Sequence, residues 1–84
     1  MKADSKELSR RRECVRRIGD VVKTAKRLFE MKSPEFDDEA RQRCAIAVFD
    51  ASRLQRWFVA NTGMRNETLD ILLDELRRMH GELA

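Results

Sequence analysis

Residues 33–61 read SPEFDDEARQRCAIAVFDASRLQRWFVAN, and the fold turns on this stretch. Ser33 offers a side-chain oxygen to a helix start, and Pro34 carries the φ of a first helical residue. Glu35, Asp37, Asp38 and Glu39 then put negative charge where a helix dipole favours it. Just beyond Asn61, Thr62-Gly63 supplies a glycine stop. The spacing predicts a helix over about residues 34–61, with apolar residues on two opposite faces. One face is Ala40, Cys44, Ala47, Ala51 and Phe58; the other is Ile46, Phe49, Trp57 and Ala60 with Arg53 among them. At about 100° per residue the two lie half a turn apart, so the helix needs cover on both sides.

Towards the N-terminus, Asp4 and Glu7 have the spacing of a capping box, opening a helix over about residues 4–31. Its stripe is Leu8, Val15, Ile18, Val22, Ala25 and Phe29, with Arg11 filling one slot. Cys14, Val21 and Leu28 widen the stripe on one side. Gly19-Asp20 is the weak point, since glycine costs about 1 kcal/mol against alanine inside a helix.

Lys32 and Ser33 leave room only for a tight turn, which makes the first two helices an antiparallel hairpin. Pairing about the turn sets Phe29 against Phe36, Ala25 against Ala40, Val22 against Cys44, Ile18 against Ala47, Val15 against Ala51 and Leu8 against Phe58. A branched residue opposite a small one in the middle layers allows close packing. After Gly63, Asn66 caps a third helix over about residues 65–81, whose stripe is Leu69, Leu72, Leu73, Leu76, Met79 and Leu83. The expected fold is therefore all-α. Residues 1–84 form a single helical domain, a long antiparallel hairpin plus a shorter third helix. A 28-residue helix is about 42 Å long, against about 30 Å for a compact globule of this size. The three-helix bundle should be elongated and should self-associate, as a homodimer or larger, or hold a protein partner.

Composition narrows the function classes. Charged residues are 39% and hydrophobic ones 42%, which is helix surface around a thin core and not a disordered tail. No apolar run approaches the roughly 18 residues that span a bilayer, so no membrane role is expected and a cytoplasmic location is. The two cysteines, Cys14 and Cys44, fit neither a disulfide framework nor a zinc site. The hairpin register sets them too far apart for a bridge, so both should be free thiols. His80 is the sole histidine and has no second ligand in the sequence. No nucleophile–base set and no glycine-rich phosphate loop occur. The reading is of a non-enzyme with no catalytic residues, cofactor, metal or evident small-molecule substrate.

Two constellations remain. Residues 1–32 hold eleven Lys/Arg against five Asp/Glu, a balance of +6, while residues 33–84 balance to −3. Arg12, Arg16, Lys23 and Arg27 fall on one exposed strip about 22 Å long, a possible anion or nucleic-acid contact interrupted by Glu13 and Asp20. Residues 55–73, QRWFVANTGMRNETLDILL, also resemble a helix-turn-helix unit in the spacing of Phe58, Val59, Gly63, Met64, Leu69 and Leu72. The resemblance implies a groove-reading third helix, but that helix carries Glu67, Asp70, Asp74 and Glu75, the wrong sign for phosphate. Ile46, Phe49, Arg53 and Trp57 form the second constellation, of residue types enriched at protein interfaces. The leading expectation is a small interaction protein (adaptor, chaperone-like cofactor or inhibitor) working by helix-on-helix contact. The alternative is a regulator that binds nucleic acid through the basic face of the first helix.

Overall fold

The computed structural model describes residues 4–81. They form three helices, α1 (Ser5–Glu30), α2 (Asp38–Thr62) and α3 (Glu67–His80), and no strand occurs among the described residues. Leu83, placed on the third stripe from sequence, lies outside them.

Local chemistry sets each boundary. Asp4 caps α1, its Oδ1 accepting from the Glu7 N–H at 2.8 Å. The helix runs unbroken through Gly19 and Asp20, and a Cβ on Gly19 would lie 3.9 Å from Leu72 Cδ1, so this position faces α3. At the other end the Lys32 N–H donates to the Phe29 carbonyl and the Ser33 N–H to the Leu28 carbonyl, a Schellman pair. The left-handed position this motif requires is filled by Lys32, at φ 52°.

The second helix starts later than residue 34. Ser33 and Pro34 form a turn, with the Phe36 N–H donating to the Ser33 carbonyl and the Glu35 N–H to Ser33 Oγ. Asp37 is the cap, accepting from the Ala40 N–H at 3.0 Å. The turn has a packing reason. It swings Phe36 back onto Phe29, ring centroids 5.3 Å apart and edge to face. The α2 stop at Gly63 (φ 76°), the Asn66 cap of α3 and the stop at Gly81 (φ 94°) fall where the sequence places them.

Two clusters make the core. Val15, Ala51, Leu54, Phe58, Leu69 and Leu73 form one, with Leu8 packed against it. Val22, Cys44, Leu76 and Met79 form the other, with Ile18, Ala25, Phe29, Phe36 and Ala47 around it. Leu8, Val15, Ala51 and Phe58 fall in or against the first cluster, and Ile18, Val22, Cys44 and Ala47 in or against the second. Arg11 of α1 lies over the Trp57 ring of α2, and Phe29 of α1 meets Phe36 just ahead of α2. The most deeply buried stripe is on α3, not α2: Leu69, Leu76 and Met79 have no exposed surface. The shortest helix fills the seam between the two long ones. The molecule measures 45 × 22 × 17 Å.

Candidate interaction surface

The outer face of the α1–α2 pair lies open. Three cavities of about 500, 300 and 380 Å³ run head to tail along it, and no α3 residue lines any of them. The first and second share Arg17, Ile18 and Asp50; the second and third share Val21 and Arg43. On α1 the wall is Cys14, Val21 and Leu28, the same residues that widen the apolar stripe. They recur every seven residues, about 10.5 Å apart. On α2 the facing column is Trp57, Asp50 and Arg43, again seven apart and continued by Phe36 below the helix start. α3 has one narrow stripe, which the inner sides of α1 and α2 consume. The widened flank is left over, and it forms the groove.

The four expected interface residues divide. Ile46 is 60% exposed and lines the second cavity, and Arg53 lines the first. Trp57 is half-buried at the groove end. Its ring meets Phe58 edge-on at 5.2 Å, and the Arg11 guanidinium lies 4.9 Å from its centroid. Glu7 holds Arg11 in place through bonds at 2.9 and 3.2 Å. Phe49, 73% exposed, lines none of the three cavities and stands apart on the outward side of α2. Sequence reasoning gave no groove role to Arg11, Arg17 or Asp50. The heptad spacing from Cys14 to Leu28 and from Trp57 to Arg43 is the signal that locates them.

The basic strip is also divided. Arg12, Lys23 and Arg27 are exposed and have no acidic group within ion-pair distance among the described residues. Arg16 is engaged by Glu13 and, at 3.3 Å, by Asp20. The Arg16 hydrogen bond holds the Glu13 carboxyl below its usual range.

One buried polar residue, Gln55, was not anticipated. It is 3% exposed and clamps the α2–α3 turn. Its Nε2 donates to the Asn66 carbonyl at 2.8 Å and to Asp70 Oδ1 at 3.0 Å, while Oε1 accepts from the Asn66 N–H at 2.7 Å. Bonds from Arg65, together with that from Gln55, hold the Asp70 carboxyl below its ordinary range against the opposing effect of burial. This corner does not support the helix-turn-helix resemblance. Val59 is 43% and Met64 72% exposed, where that motif would bury them.

Both cysteines are free thiols. Burial pushes the Cys44 thiol pKa up, whereas Cys14 is half-buried on the groove wall. Among the described residues no group of three or more His, Cys, Asp or Glu could hold a metal ion, and no helix is long and apolar enough to cross a membrane. Comparisons with protein-family models, with curated proteins and with solved structures find no match, so the surface chemistry alone bears on function.

Proposed function

We propose that this chain is a small non-enzymatic interaction protein of the cytoplasm, an adaptor, chaperone-like cofactor or inhibitor that works by helix-on-helix protein contact. The supporting observation is the open α1–α2 groove, walled by residues at heptad spacing and bordered by an Ile46 that is 60% exposed. Heptad columns on two adjacent helices are how helices seat a further helix. Self-association belongs to the same reading, with Phe49 as its apolar anchor. The test is recovery of tagged protein from host extract, run with and without nuclease treatment. A protein should co-purify, persist in high salt, and be lost from a Val21→Asp, Ile46→Asp variant that keeps its helicity. Recovery of nucleic acid alone would overturn the reading.

The second reading, nucleic-acid binding through α1, is favoured by one observation: Arg12, Lys23 and Arg27 stand exposed without acidic partners among the described residues. It requires binding that weakens steeply with salt and that falls when these three arginine and lysine residues are replaced together.

A further inference from the structure

We infer that a second copy of this chain packs on the outward face of α2, the two helices running antiparallel; this deepens, and rests on, the self-association within the interaction reading. The face is a seam. Gln42, Ile46, Phe49, Arg53, Arg56 and Ala60 follow one another at alternating steps of four and three, the spacing at which one helix seats another. All six are exposed, Ile46 at 60% and Phe49 at 73%, so the seam faces solvent. Charge decides the occupant. On the α1 side of the seam Arg11 is engaged by Glu7, Arg17 by Glu13 and Arg43 by Glu39. Arg56 stands at the opposite edge, where it lines the cavity on the α3 side with Arg65. Asp50 and Arg53 are exposed between these edges, and neither has an ion-pair partner among the described residues. The face thus offers one free carboxylate and one free guanidinium, about one helical turn apart.

A two-fold contact brings one residue onto a second and that second onto the first. Run parallel, it would set the two Arg53 side chains on each other in the seam. Run antiparallel about an axis level with Ala51, it sets Phe49 against the partner's Arg53, twice over. Each guanidinium then lies over a Phe49 ring and reaches Asp50, one residue along. Gln42 meets the partner's Ala60, and Ile46 lies under the aliphatic stem of the partner's Arg56. Ala51 is one residue from the middle of α2 (Asp38–Thr62), so the helices overlap along nearly their whole length, about 34 Å. A shift of one heptad towards the C-terminus would put Arg53 on the partner's Arg56, and one towards the N-terminus would leave Asp50 against Ala45. The charges select the central register.

The test is sedimentation equilibrium of the intact chain. The wild type should dimerise, and Phe49→Asp should be monomeric with its circular dichroism unchanged, because that side chain packs on nothing in its own chain's core. Asp50→Arg and Arg53→Asp should each weaken the dimer by at least about tenfold, since each sets like charges together. Mixed in equal amounts, these two variants re-form both charge pairs across the contact, and the mixture should dimerise again as heterodimers. A contact that used the apolar residues in any other register would not be rescued by mixing. A wild type that stays monomeric, a dimer indifferent to Phe49→Asp, or charge variants that fail to complement each other would each overturn the proposal. A foreign protein captured from extract by a chain that is monomeric in the centrifuge would keep the interaction reading and sink this one. Capture of nucleic acid alone, with the wild type monomeric, would sink both.

Discussion

Gln55 is the residue on which the α2–α3 corner depends. A primary amide matches one backbone N–H and one carbonyl of the same residue at once, and here both belong to Asn66. Gln55→Ala would leave the Asn66 N–H without its partner, while the Asn66 carbonyl keeps the bond from the Asp70 N–H at 3.2 Å, at a cost of about 1–3 kcal/mol where burial persists. Urea unfolding should therefore show a loss of at least about 1 kcal/mol, against less than about 0.5 kcal/mol for Arg41→Ala on the surface. Lys32 is the converse case. It sits at φ 52°, where a side chain is strained and glycine is not. Lys32→Gly should raise the urea midpoint, by about 0.5–1 kcal/mol in stability, provided the Schellman bonds survive. Neither residue was legible beforehand. Glutamine has no positional signature, and a lysine near a helix end reads first as a dipole partner. The caps were legible, because Asp4 and Asn66 need only their own turn to act. Ser33 was misread as the α2 cap for a tertiary reason. Its signals are real, but the ring contact of Phe36 on Phe29 takes that segment for a turn.

At the scale of the element, α3 carries more of the core than its fourteen residues suggest. Leu76 has no exposed surface and touches the cluster of Val22 and Cys44, so Leu76→Ala should cost about 2–5 kcal/mol. Ile71 lies on the opposite side of the same helix, 62% exposed, and Ile71→Ala should stay within about 0.5 kcal/mol. The α1–α2 layers make a parallel contrast. Ala51 is completely covered, and Ala51→Leu should overpack by about 1–3 kcal/mol. Ala47 is half-buried beside the second cavity, so Ala47→Leu has room to grow and should cost less. Equal losses at both positions would mean that the groove is closed in solution. The helix stripes were readable from their spacing, although residues 31–37 connect α1 to α2, a longer link than the tight turn expected at Lys32 and Ser33. Where α3 would lie was not, because a clean stripe says that a helix is covered and not by what.

Across the whole molecule, ion pairs tie the first helix to the last and make stability depend on pH. Lys26 of α1 reaches Glu75 of α3 at 3.2 Å, and Arg78 bonds the other oxygen of that carboxylate at 2.6 Å. Burial alone would push the Glu75 carboxyl up, but the Lys26 hydrogen bond and the Arg78 charge outweigh it and hold the group below its usual range. Asp70 is displaced in the same direction by Arg65 and Gln55. A carboxyl whose pKa is lower in the fold than in the open chain leaves the unfolded state holding more protons between the two values, so stability rises with pH there. The contribution is complete above the ordinary carboxylate range, near pH 4, and is lost as pH falls through the lower folded values. Urea midpoints measured from pH 6 to pH 2.5 should hold steady at first and then drop below about pH 4. The Lys26→Met variant should start lower at pH 6 and lose less on acidification, because Glu75 then has one reason fewer to stay ionised. If the two proteins lose stability in parallel, the Lys26–Glu75 bridge contributes nothing to this pH dependence.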